Sequence, residues 1–117
     1  MKPGTYNLPS VTEGDTWRGV PALRVRVNGA PPSQPLALVR MQIRRRAEDA
    51  AALVSLHSGA GGGIVIGDAA DWDVSIPPRV LDLPAGRYVH DIEFTDAAGT
   101  VSTYLAGGIA VNKQVTR

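Results

Sequence analysis

Cysteine is absent from the 117 residues, which removes disulfide frameworks, thiolate metal sites and thiol nucleophiles together. Charge of one sign is also scarce. The 12 basic residues stand against 11 acidic ones, and a net charge of +1 argues against bulk electrostatic binding to nucleic acid or to an anionic membrane. Aromatic residues make up 5% of the chain, and the three tyrosines are not interleaved with basic residues as in a nucleic-acid groove. No window approaches the roughly 18 apolar residues of a membrane span, and the opening Met1-Lys2-Pro3-Gly4-Thr5-Tyr6 lacks the apolar stretch of about 7–15 residues of a signal peptide. The expectation is a soluble protein with no membrane partner, which would leave a cell only by another route, such as inside a particle released by lysis. His57 and His90 are the only histidines, and they lie too far apart for a helical metal-ligand pair. Residue chemistry therefore predicts a non-enzymatic protein with no metal and no cofactor.

What is present is punctuation. Thirteen glycines and nine prolines are spread along the whole length and separate short apolar runs, which predicts many strands joined by turns. Over residues 16–28, Trp17, Leu23, Val25 and Val27 alternate with Arg18, Arg24 and Arg26, the pattern of one half-buried strand with a solvated arginine face. Pro21 places its first part at an edge or in a bend, and Asn28-Gly29 is a tight-turn signal. Val39, Met41 and Ile43 alternate with Arg40, Gln42 and Arg44 in a second strand. Residues 47–56 read as a loop or one helical turn entering a short strand. After the flexible Ser58–Gly63 turn, Ile64–Ile66 and Trp72–Ile76 read as a hairpin. Arg79–Leu83 is expected to form a short helical turn after Pro77-Pro78.

Residues 87–95 give the clearest strand, with Tyr88, His90, Ile92 and Phe94 on one face and Val89, Asp91 and Glu93 on the other. An Asp96-Ala97-Ala98-Gly99 turn leads to Val101, Thr103, Leu105, Ile109 and Val111, which share a parity and predict the second arm of a long antiparallel hairpin. Gly107-Gly108 interrupts that arm and marks a bulge or the close approach of another backbone. Six to eight strands without a helical period predict one all-β domain over residues 1–117, an antiparallel β-sandwich with short extended termini.

Four segments in this order carry a resemblance: Glu13-Gly14-Asp15-Thr16-Trp17, Arg40-Met41-Gln42-Ile43-Arg44, the stretch from Leu83-Pro84-Ala85-Gly86-Arg87-Tyr88 through Ala98-Gly99-Thr100-Val101, and Val115-Thr116-Arg117. The chain resembles small phage and prophage virion proteins, which are similar to the immunoglobulin-like N-terminal domain of the siphophage baseplate upper protein. His90 stands where that pattern usually has an aromatic residue, and Val20-Pro21-Ala22 replaces an uninterrupted alternation. The resemblance implies an immunoglobulin-like sandwich of about seven to eight strands. It also implies a virion structural role in tail or baseplate, with copies of itself and other virion proteins as partners. A head decoration or connector is the nearest variant.

Several constellations have a functional and an ordinary reading. Ten of the twelve cations are arginines, and Arg44-Arg45-Arg46, extended by Arg40 and by Arg24 and Arg26, reads either as an assembly surface or as a solvated, edge-protecting face. Nucleic acid is the weaker partner for it. Asp68, Asp71 and Asp73 are closely spaced but lack an EF-hand pattern, so turn capping is the commoner role. Ser58–Gly63 lacks the lysine and the helix of a phosphate loop. His90 and Asp91 point to opposite faces of one strand and cannot pair as in a catalytic triad. Trp17 and Trp72 fall in apolar registers and are expected in the core, whereas Tyr104 has the opposite parity and is a surface or interface candidate with Arg40, Arg44, Arg45 and Arg46. A carbohydrate-binding module is the rival function, and it would require Trp17 or Trp72 to be exposed. The edges at Thr16–Val20 and Gly107–Val111 are candidates for strand addition by a neighbouring chain.

Overall fold

The computed structural model describes residues 3–115, so Thr116 and Arg117 of the terminal motif lie outside the described residues. The protein is all-β and sandwich-like. Its strands are β1 (Gly4–Thr5), β2 (Val11–Thr12), β3 (Thr16–Trp17), β4 (Val20–Arg24), β5 (Leu36–Arg44), β6 (Val54–His57), β7 (Val65–Asp68), β8 (Asp73–Ile76), β9 (Arg79–Val80), β10 (Gly86–Asp96) and β11 (Val101–Asn112). Four are only two residues long, which leaves seven of four residues or more.

One layer is a six-stranded sheet ordered β1-β11-β10-β5-β6, with β2 also pairing β11. Its centre is the predicted β10–β11 hairpin, with β5 antiparallel on the other side of β10. Phe94 sits opposite Val39, Ile92 opposite Met41 and His90 opposite Ile43, so the apolar faces of the two strands coincide. The hairpin turn is set by Asp96, whose Oδ1 accepts from the N–H groups of Ala98 (2.9 Å) and Thr100 (3.0 Å). The other layer is the three-stranded sheet β4-β8-β7, containing the predicted β7–β8 hairpin, and a β3–β9 ribbon accompanies it. Trp17, Met41, Ile43, Trp72, Ile76, Ile92 and Phe94 belong to one buried cluster. Each large side chain removed from water there contributes about 1.5–3 kcal/mol.

Three local expectations are corrected. The single strand expected over residues 16–28 is two, because Gly19 turns the chain between β3 and β4 at φ 74° and lies so close to the Ile76 carbonyl and Pro77 that a Cβ would overlap them. Pro21 then sits in a bulge, since Val20 pairs Ile76 and Leu23 pairs Val74 with two residues against one between them. Arg79–Leu83 contains no helical turn, and Arg79-Val80 is instead the partner of Thr16-Trp17. A long-range pairing here outweighs local preference.

The third correction concerns β11. Ile92 pairs Leu105 and Glu93 pairs Thr103, which leaves Tyr104 as the extra residue of a bulge. The parity shared by Val101, Thr103, Leu105, Ile109 and Val111 is broken there. Val101 is 55% exposed, whereas Ile109 and Val111 are buried. Gly107 and Gly108 mark the second of their two expected roles, the close approach of another backbone. That backbone is the chain's own N-terminal segment.

Candidate interaction surface

The basic residues do not form one cluster. Arg40 projects from the outer face of β5, half exposed, and lies 3.5 Å from a carboxylate oxygen of Glu93 on β10. Arg44 donates through Nε to the Asp49 carbonyl (3.0 Å) and through Nη1 to Gln42 Oε1 (2.8 Å). Arg45 turns the other way, its guanidinium 5.1 Å from the centre of the Tyr88 ring. Arg46 is exposed, with Asp49 3.9 Å away. Arg24 and Arg26 belong to the opposite layer, where they face Asp71 and Asp73; Arg26 Nη2 lies 2.9 Å from Asp71 Oδ1. The expected extension of one arginine face across both regions is therefore not formed. Consecutive residues leave a strand end in different directions, and β4 and β5 lie in different sheets.

The aspartates are used locally: Asp68 Oδ1 accepts from the Asp71 N–H (3.1 Å), while Asp71 and Asp73 meet the arginines. His57 Nδ1 accepts from the Gly59 N–H (3.0 Å) within the glycine-rich turn.

Trp17 and Trp72 are buried, with 0% and 2% exposure, and each indole N–H donates to a carbonyl, to Pro9 (2.9 Å) and Gln34 (2.7 Å) respectively. Trp72 holds φ 53°, a costly conformation for a bulky residue, stabilised by its burial and by that hydrogen bond. Tyr104 is turned inward by the bulge. Its ring lies 5.9 Å from both Trp72 and Phe94, which closes an aromatic cluster and leaves the side chain half-buried.

Of the two edges expected to receive a neighbouring chain, Thr16–Val20 is paired on one side only and the β11 edge is occupied internally. Thr16-Trp17 pairs β9, and the β11 edge is covered by residues 4–12. Gly4-Thr5 pairs Leu105-Ala106 in parallel, and Val11-Thr12 pairs Val111-Asn112. Between them the Tyr6 N–H donates to the Ala106 carbonyl (2.8 Å) and the Leu8 N–H to the Gly108 carbonyl (2.9 Å). The Gly108 N–H donates to Asn7 Oδ1 (3.0 Å), and a Cβ on Gly107 would overlap the Tyr6 carbonyl. We refer to this segment as the strap. A depression of about 450 Å³ runs along it, and Arg87 is its only charged lining residue.

His90 lies on the core face of β10, 4% exposed, with Nε2 2.6 Å from the Tyr6 carbonyl of the strap. Burial lowers its pKa, opposed by the hydrogen bond to Tyr6 and by the nearby Asp91 charge. Asp91 itself is exposed on the outer face, so the two side chains do diverge as strand geometry requires.

Glu13 is the structural residue that sequence reasoning passed over. Its Oε2 accepts from the Ala85 N–H (3.1 Å) and its Oε1 from the Gln114 N–H (3.2 Å). The Glu13–Trp17, Leu83–Tyr88 and C-terminal segments are thereby tied together, while Arg40–Arg44 pairs residues 89–93. Only the presence of Glu13 inside a quoted motif hinted at this. No helix among the described residues is long and apolar enough to cross a membrane. No protein-family model matches the chain, and no curated protein sequence matches it.

Proposed function

We propose that the chain is an immunoglobulin-like sandwich serving as a non-enzymatic structural component of a phage or prophage virion, in the tail or baseplate. It acts through contacts with copies of itself and with other virion proteins. Two features support the fold half of this reading. In chain order, β4, β5, β6, β7, β8, β10 and β11 occupy the places of immunoglobulin strands B, C, C′, D, E, F and G, with β11-β10-β5-β6 in one sheet and β4-β8-β7 in the other. Tyr88, at the start of the F-like strand, donates its hydroxyl proton to the Pro84 carbonyl four residues upstream (2.5 Å), the tyrosine-corner arrangement of such sandwiches.

The observation that carries the functional half is the meeting of the motif segments. Three of the four segments that resemble virion proteins meet in one framework, through the Glu13–Ala85 bond, the Tyr88–Pro84 bond and the β5–β10 ladder. Burial of both tryptophans supports assembly over sugar stacking, because neither indole presents a face to a ligand. The dispersal of the arginines among internal carboxylates and carbonyls favours protein over nucleic-acid partners. Symmetry in a ring or collar multiplies individually weak contacts into a stable particle.

Light scattering coupled to size-exclusion chromatography over a range of concentrations tests this reading. A discrete trimer, hexamer or larger ring is the expected result. A strict monomer at high concentration would overturn autonomous assembly.

A further inference from the structure

The strap is attached differently from every other part of the β11 sheet. Its two bridges to β11 are two residues each, and between them it is attached by hydrogen bonds donated from the Tyr6 and Leu8 N–H groups, one accepted by Asn7 Oδ1, the Pro9 carbonyl that accepts from the Trp17 indole, and the buried Leu8 side chain. The central contact is the Tyr6 carbonyl, seated over Gly107 and accepting from His90. We propose that residues 3–12 form an exchangeable edge strand, held closed by the neutral His90 imidazole, and that proton uptake releases it and opens the β11 edge to the same segment of a second copy. This deepens the assembly reading above and rests on it.

The chemistry follows from one tautomer. With the proton on Nε2, His90 donates to the Tyr6 carbonyl, and Nδ1 is buried with no hydrogen-bond partner among the described residues. A second proton would put an N–H at Nδ1, where it has no partner, and a full charge in a buried site. The cross-strand neighbours, Ile43 on β5 and Gly107 on β11, carry no charge. Among titratable groups on the surrounding elements, the strap supplies Tyr6, β10 supplies Arg87, Tyr88, Asp91, Glu93 and Asp96, β11 supplies Tyr104, and β5 supplies Arg40 and Arg44, which project from the outer face. The hydrogen bond to the Tyr6 carbonyl and the Asp91 charge act in favour of the proton, and desolvation outweighs both.

The closed strap therefore favours neutral His90, and the open state takes up a proton first. Strap attachment is complete above the ordinary histidine range and weakens as pH falls through about 6.5 toward the lowered value of the closed state. The occupant is argued from fit. Gly107 leaves room for the Tyr6 backbone and the Asn7 side chain, so the groove that opens is shaped for this sequence, and another copy carries it. While the strap is closed, its high effective concentration keeps a second copy out.

Amide hydrogen exchange on the full chain at about pH 7.5 and about pH 5, corrected for intrinsic rates, tests the lock. The Tyr6, Leu8 and Gly108 amides should lose protection by up to about thirtyfold at the lower pH, while amides of β5 and β10 stay protected. His90→Gln keeps a donor near the Nε2 position without titrating, so this variant should show no selective acid loss. A fluorescent peptide of residues 3–12 should bind the wild-type protein at the lower pH and not at the higher.

Unchanged strap protection at both values would overturn the lock. Simultaneous loss across β5 and β10 would show global unfolding and overturn a separate strap. Selective opening without peptide binding would overturn exchange between copies. Each of these results leaves the neutral-pH molar mass to decide the assembly reading separately.

Discussion

Strand β11 is flanked by two kinds of neighbour. On one side β10 pairs with it from Gly86–Val111 to Thr95–Val101, and alternate residues of that ladder enter a common core. On the other side the strap touches the same strand through two short parallel bridges and a few side-chain contacts. Burial of apolar surface holds the first, so its stability is distributed over many side chains and resists any one polar change. Backbone fit at Gly107, Asn7 and His90 holds the second together with one buried apolar side chain, Leu8, and the Pro9 bond to Trp17, so its stability rests on fewer groups. A sheet can thus have a rigid interior and a detachable edge along a single strand.

The largest expected effect breaks the core against which both sides pack. Trp17→Ala empties a fully buried site and removes the indole bond to Pro9, so chemical denaturation should show a loss of about 3–5 kcal/mol. Gly107→Val should separate the two sides, because its branched side chain would collide with the Tyr6 carbonyl and Asn7. Hydrogen exchange at neutral pH should then show an unprotected strap and a protected β5–β10 ladder, with a global cost of about 1–3 kcal/mol. Arg40→Ala should be the mildest, below about 1 kcal/mol in denaturation, because its pairing with Glu93 is solvent-screened on the sheet's outer face. If Arg40 serves an interface, its loss should change the molar mass of the assembly more than the stability of the fold.

Strands with a strict two-residue period were legible. Val39, Met41 and Ile43, and Tyr88, Ile92 and Phe94, all reach the core as their alternation predicts, since one face of each strand is covered and the other wet. Tyr104 was misread because a bulge adds one residue and inverts parity beyond it, and no residue type at that point announces it. The arginine triplet was misread as one surface because adjacency in sequence says little about direction where a strand ends. Gly107-Gly108 did signal a close approach, without saying whose backbone approached.

Composition and periodicity by themselves determined the all-β class, the long β10–β11 hairpin, the burial of both tryptophans and the divergence of His90 from Asp91. These depend on neighbours a few residues apart, where local geometry is periodic. Only the tertiary structure decided that the Glu13 carboxylate joins segments 72 and 101 residues away. It also decided that Arg79-Val80 pairs rather than coils, and that His90 meets Tyr6 across 84 residues of sequence. Such contacts form only after the layers have packed, when solvent exclusion makes each polar group's partner a property of the whole fold.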